Sequence, residues 1–481
     1  MRLLVIGIDG GTKEIIDAMN MPFLQNVLER GILLDLEEDL WSRGWAEILN
    51  GRHGRDTGAF YYKPVLGSPG DITSHFGTEN HEQYGLDPLW KKINRGGHRV
   101  GFMNVPTTMP APKVDGFFIS GAGAGFNPKS GLQPLACYPN ETFNHLLKIG
   151  YPWQVRFMAS GIKEIEDFVK ALEDSIIKRC QAFSSFCDTF SPDFGFLTHT
   201  ENTPIQNVAM VEVRDMIKEN GIPRTFFQEK ILSFYSHLDD CIRSTVESIQ
   251  PENLIVVSDH GASPRLASIN LNHFLRDIDL QKKRDISISA GKKIFRKTGQ
   301  FLPKYIKQGI KRSAPGAVNE LYKPNINWSK TRAFSKRYIP GFYINDQKRF
   351  KGIVESDEEI NDLSQLIVKA FNDSEVGHEY SLHARLYRSE YLASRFNFLL
   401  PDVWVDSDDS VFFEENGPFL EVNEDYRLIK SLYQVNRDLF TGIKGRKPLA
   451  CIDRNLKNCI DPNDSSDLTQ IYQIISRAMQ R

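Results

Sequence analysis

No run of apolar residues in this 481-residue chain reaches the roughly 18 that a membrane-spanning helix needs. The N-terminal "MRLLVIGIDGG" carries one Arg and then six apolar residues before Asp9. That is too short for the core of a signal peptide, and no small-residue cleavage site follows. The expectation is a cytoplasmic protein without a transmembrane segment. Cysteine is sparse and scattered (Cys137, Cys180, Cys187, Cys241, Cys451, Cys459), with no C-x-x-C pair, which argues for reduced, buried thiols and against a disulfide framework. Charge of one sign is lacking too: the net charge is −2, so nothing draws the whole chain toward nucleic acid or an anionic membrane. "GIDGGT" is not followed by G-K-[ST], which excludes a P-loop. There is no internal repeat, no long low-complexity tract and no nucleic-acid module.

What is present is an alternation of strands and helices. "LLVIGI" is continuously apolar, as a buried parallel strand is. "FLQNVLERG" predicts a helix ending at Gly31, and "GILLDLE" a strand. "DPLWKKINRGG" predicts a helix stopped by Gly96 and Gly97, and "HRVGFMNVP" and "DFGFLTHT" predict strands. The amphipathic "FYSHLDDCIRSTVESI" precedes a further strand in "LIVVSDHG", and "SSDLTQIYQIISRAMQR" predicts a C-terminal helix. This pattern implies an α/β fold with a mostly parallel sheet, whose chemistry gathers at the C-terminal ends of the strands. Asp9 and Asp259-His260 both stand at such ends. Each is readable as a turn or capping loop, but together they offer two carboxylates and an imidazole, ligands suited to a divalent cation.

The rhythm breaks between about 280 and 325. Eleven Lys and Arg lie between Lys282 and Arg312, against one acid, Asp285. This stretch is either a solvated basic flap or cap, or a surface for an anionic substrate or lipid headgroup.

Six segments, in order, then resemble one family. They are "LLVIGIDGG"; "WAEILNGRHGRDTGAF"; "PLWKKINRGGHRVGFMNVPTTMPAPKVDGFFISG"; "LIVVSDHGASP" with "INLNHFL"; "INWSKTRAF"; and "GFYIND" with "KGIVE". They resemble the alkaline phosphatase superfamily, in its type I phosphodiesterase/nucleotide pyrophosphatase branch. The resemblance implies one alkaline-phosphatase-like domain over residues 1–481: a mostly parallel central sheet sandwiched by helices, with a smaller inserted cap. It also implies two divalent metals, commonly zinc, about 4 Å apart, and a Thr or Ser nucleophile. One metal's ligands correspond to Asp9, Asp259 and His260, all present.

The second metal's pattern, Asp-x-x-x-His plus a His in T-G-x-H, is not matched. Thr203 and Asn207 stand at the first two positions, and Lys444 of "FTGIKG" at the third. A shifted alignment offers Glu201 or His199 instead. Lys444 is either a surface residue or an ammonium filling the vacant cation position and contacting an anion. The nucleophile position falls on Trp41, with Ser42 one residue on. Ser42 is either a metal-activated nucleophile or a helix N-cap. Arg43 is a candidate bidentate anion clamp, Gly44 permits a backbone turn, and His53 is close enough in sequence to approach substrate.

The function implied is a metal-dependent hydrolase or transferase acting on a phosphodiester or nucleotide-like phosphoester. Its site is reduced to a single metal, zinc or manganese. The substrate expected is an anionic small molecule or a glycan- or lipid-linked phosphoester. The alternative is an inactive relative with a binding or accessory role. A sulfate-ester enzyme comes third, because "SRGWAE" lacks the C/S-x-P-x-R context of sulfatases.

Overall fold

A computed structural model describes residues 1–123, 131–155, 165–284, 326–379, 381–415, 419–422 and 441–480. The expected basic cap falls at residues 285–325 for nearly all its length and lies outside the described residues.

An eight-stranded sheet organises the chain. From one edge its strands run Ile32–Leu33, Ala450–Ile452, Leu254–Val257, Leu3–Ile8, Phe194–His199, Val100–Val105, Gly116–Ser120 and Cys137–Tyr138. The five central strands are parallel, and the antiparallel pairings are confined to the edges. Strand Leu3–Ile8 lies at the middle and is buried along its whole length. Leu4, Ile6 and Ile8 enter a core shared with helices Ile165–Phe190, Asn202–Lys218 and Phe226–Ile249. Leu3 and Val5 enter the opposite core, with helices Gly44–Asn50, Leu89–Arg95 and Thr469–Gln480. Both faces are therefore apolar, which is why the strand's sequence does not alternate. The expected α/β sandwich is the observed fold.

A second, four-stranded antiparallel sheet joins Ala333–Phe334, Gly341–Ile344, Val403–Asp406 and His383–Leu386. Helix Asp357–Asn372 covers it, through Ile360, Leu363, Ile367 and Phe371. An aromatic cluster links it to the main body, with Trp41 and Phe60 packed among Phe334, Tyr343 and Trp404. "GILLDLE" forms a strand only at Ile32–Leu33, a partly exposed edge. Among the described residues, no helix is long and apolar enough to cross a membrane.

Candidate metal and active site

Parallel pairing brings the two acidic strand ends together. Gly7 lies opposite Val257, so Asp9 and Asp259 emerge side by side at the C-terminal edge. Among the described residues, Asp9, Asp259 and His260 form a group whose ligand atoms all lie within 4.8 Å of one another. His260 Nε2 is 3.5 Å from Asp9 Oδ1 and 3.6 Å from Asp259 Oδ1.

The polar accounting at this cluster favours a cation. His260 Nδ1 lies 2.6 Å from the Gly261 carbonyl, a contact that leaves Nε2 as the ring atom facing the two carboxylates and available to a cation. That Nε2 and Asp259 Oδ1 are both buried without a hydrogen-bond partner. Buried acceptors left unmet are costly, and a divalent ion held by Asp9, Asp259 and His260 satisfies them. Burial and then the charge of Asp9 push Asp259 up, against the pull of His260, Lys444 and the Tyr61 hydroxyl. Burial acts to raise Asp9 as well. Without a cation bound, the close approach and charge of His260, the charge of Lys444 and the Thr203 hydroxyl outweigh it and bring Asp9 down to about 2.

Surrounding elements hold these groups in place. Trp45 Nε1 donates to Asp9 Oδ2 at 3.0 Å, and the Thr203 hydroxyl donates to Asp9 Oδ1. Tyr61 donates to Asp259 Oδ2 at 2.9 Å. Strand Gly442–Gly445 pairs antiparallel with Gly261–Pro264, setting Lys444 opposite Ala262. Its ammonium lies 3.9 Å from Asp259 Oδ2 and 3.2 Å from the centre of the Tyr61 ring. Gly44 does not make the turn expected of it. It opens helix Gly44–Asn50, and a Cβ there would lie 2.1 Å from the Asp259 carbonyl oxygen. Only a glycine lets the helix approach so closely.

Residues 3–418 match the type I phosphodiesterase / nucleotide pyrophosphatase family. The chain belongs to that family. It is accordingly a hydrolase of the phosphoester-cleaving class. No curated protein matches it. Phosphonoacetate hydrolase from Sinorhizobium meliloti, solved with phosphonoformate, is similar at 12% identity and a TM-score of 0.54, covering 100% of this chain and 96% of that one. The same enzyme solved with phosphonoacetate gives 0.51 at 12% identity, covering 100% and 96%. Murine ectonucleotide pyrophosphatase/phosphodiesterase 5, an inactive form with AMP, gives 0.47 at 12% identity, covering 100% and 95%.

Three residues expected near the site, Ser42, Arg43 and Trp41, make their contacts within the protein's own loops. The Ser42 hydroxyl is not free. The side chain is buried and its hydroxyl donates to Asp39 Oδ2 at 2.8 Å, in a turn where Asp39 Oδ1 also accepts from the Ser42 and Trp41 amides. Nor is it the cap, because Arg43 occupies that position. Arg43 is not an open anion clamp. Its guanidinium donates to the carbonyls of Phe60, Tyr61 and Ser74 and stacks on Tyr61, bracing the loop that delivers Tyr61 to Asp259. Trp41, where the resemblance would place the nucleophile, is buried, stacked on Phe60 at 3.9 Å, and donates to the Tyr62 carbonyl.

The alternative second-metal ligands are also committed elsewhere. Glu201 pairs with the buried Arg179 and accepts from Ser175. His199 is sealed in, with burial and Arg179 pushing it down to about 3.

His53 does not face the metal cluster. Its Nδ1 lies 3.2 Å from Glu47 and its Nε2 3.1 Å from Asp467. Glu38, Asp39, Arg55 and Arg446 line the same cleft. Burial alone would lower His53, but the hydrogen bonds and charges of Asp467 and Glu47 raise it to about 10. A raised imidazole contributes stability that is complete below its unfolded pKa, near 6.5, and is lost as pH climbs through about 10. His53→Gln is therefore expected to destabilise the fold by a few kcal/mol, of order 3, at pH 6. The deficit should shrink steadily toward pH 10, as urea melts across that range will read. A deficit that does not change with pH would refute the ion-pair account.

Proposed function

We propose that this chain hydrolyses phosphodiester or nucleotide-like substrates through a single-metal site in which the Lys444 ammonium serves as the second cation. What supports this is the position of that ammonium, 3.9 Å from Asp259 on the strand where the family pattern has a ligand histidine. Its side chain keeps 29% exposure, so it can meet an anion. Asp9, Asp259 and His260 would hold one divalent ion, zinc or manganese, whose chemistry is Lewis-acid polarisation of a phosphoryl oxygen and activation of a nearby hydroxyl. Lys444 draws the anionic phosphoryl group toward the cluster, and Tyr61 and Trp45 fix the two carboxylates for it. A cytoplasmic setting belongs to the same proposal, supported by six unpaired cysteines.

Elemental analysis of the purified protein, with turnover of bis(p-nitrophenyl) phosphate, tests this. About one metal ion per chain and diesterase activity are expected. Lys444→Ala should keep the metal and lose roughly 10²- to 10³-fold in kcat, the usual cost of removing one preorganised electrostatic contact. About two ions per chain would sink the single-metal reading. Hydrolysis of p-nitrophenyl sulfate alone would point to a sulfate-ester enzyme. No metal and no turnover would leave a relative that retains the fold without the chemistry.

A further inference from the structure

The position where the resemblance would place the nucleophile holds a buried tryptophan and its neighbour Ser42 is spent on Asp39, so the attacking oxygen has to come from elsewhere. Ser258 is fully buried and donates to the Gly11 carbonyl. The Tyr61 hydroxyl is bound to Asp259. Thr203, like Tyr61, reaches a carboxylate of the cluster, and unlike a phenol it offers an aliphatic hydroxyl. It is partly exposed, and its hydroxyl touches Asp9 Oδ1. A Cβ on Gly10, whose φ is +68°, would lie 2.7 Å from Gln206 Oε1, 2.9 Å from Thr203 Oγ1 and 3.2 Å from His260 Cε1. The hydroxyl and the imidazole edge thus both pack against the bare backbone of Gly10, so the Asp9 loop holds them side by side.

Thr203 is also firmly placed. It stands in the first turn of helix Asn202–Lys218, whose N-cap residue, Glu201, makes no side-chain cap because its carboxylate is turned to Arg179. The positive end of that helix faces the strand edge where an anion would bind. Asn202 donates to the Asp9 carbonyl and Gln206 to the Gly10 carbonyl, each at 2.9 Å, tying the helix to the Asp9 loop on either side of Thr203.

We propose that Thr203 is the nucleophile of this site, its hydroxyl oriented by Asp9 and taking over the attack that Trp41 and Ser42 cannot make. The proposal rests on the hydrolase reading above. In the first step Thr203 Oγ1 bonds to phosphorus and the bond from phosphorus to the leaving oxygen breaks. The hydroxyl proton leaves along its hydrogen bond to Asp9 and ends on the departing alkoxide, giving an alcohol and a phosphothreonyl diester. In the second step water attacks the same phosphorus, Thr203 recovers its proton, and the phosphomonoester leaves.

Stereochemistry decides between this route and direct attack by water. Two displacements at a chiral phosphorothioate diester retain configuration, whereas one displacement inverts it. Retention is expected, with acid-quenched bis(p-nitrophenyl) phosphate reactions leaving a p-nitrophenyl phosphoryl group on the peptide that contains Thr203. Thr203→Ala should lose roughly 10³-fold or more in kcat at unchanged metal content, and Thr203→Ser should recover much of it. Inversion, an adduct on another residue, or a Thr203→Ala enzyme within tenfold of wild type would overturn the proposal while leaving the hydrolase reading intact. A wild-type protein that neither turns over nor forms an adduct at any metal loading would overturn both. Should Thr203→Ala lose its metal, the stereochemistry and the adduct in the wild type still decide between the two routes.

Discussion

Asp259→Asn is expected to empty the metal site, cut turnover about a thousandfold and leave the fold intact. The substitution keeps the shape of the side chain and its contact with Tyr61, but removes a charge from a carboxylate that is buried and unpaired at Oδ1. Lewis-acid stabilisation is worth several kcal/mol in a transition state, so about three powers of ten in kcat should go at roughly 1.4 kcal/mol each. The same change has a second consequence. Burial and the neighbouring Asp9 already push Asp259 up, so two like charges in a dry pocket burden the metal-free protein. The metal-free variant should therefore melt no lower than metal-free wild type, while wild type alone gains stability when metal is added. Elemental analysis and melts with and without zinc check both parts. An Asp259→Asn protein that still binds metal would remove Asp259 from the ligand set.

This centre was legible in the sequence because its parts lie at predictable places. Apolar runs such as Leu3–Ile8 and Leu254–Val257 announce parallel strands, and parallel strands put their C-terminal ends on one edge. Asp9, Asp259 and His260 follow from that alone. The rest depended on side-chain direction, which spacing does not encode. Ser42 and Arg43 sit beside the right helix, but Asp39 captures the serine and three loop carbonyls capture the arginine. Tyr61 reaches Asp259 across 198 positions of sequence from a loop with no periodic signal. Trp45 was visible only as part of a motif, and its bond to Asp9 arises because helix Gly44–Asn50 packs almost onto the Asp259 backbone. Thr203 stood in the sequence as a missing carboxylate, and only the folded chain shows its hydroxyl on Asp9.

Behind that threonine lies a buried ion pair whose loss should be costly. Arg179 is fully buried and its guanidinium meets both oxygens of Glu201, with the Tyr151 hydroxyl accepting from Nε at 3.0 Å and Ser175 donating to Glu201 at 2.6 Å. Arg179→Met keeps the apolar stem and deletes the charge, stranding a carboxylate in the core. Breaking a buried pair in this way costs about 3–5 kcal/mol, and urea denaturation should show it as a lower midpoint at unchanged slope. The double variant Arg179→Met with Glu201→Met should recover most of that loss, since a pair replaced by apolar groups no longer carries its desolvation cost. Function should not return with stability. Glu201 is the N-cap residue of the helix that carries Thr203 and ties to Asp9 through Asn202, and a methionine there loosens an anchor that joins this core pair to the site. A double variant as active as wild type would mean that the ion pair serves only the core. A stable but slow one would mean that the same two residues hold the helix end where the hydroxyl has to be.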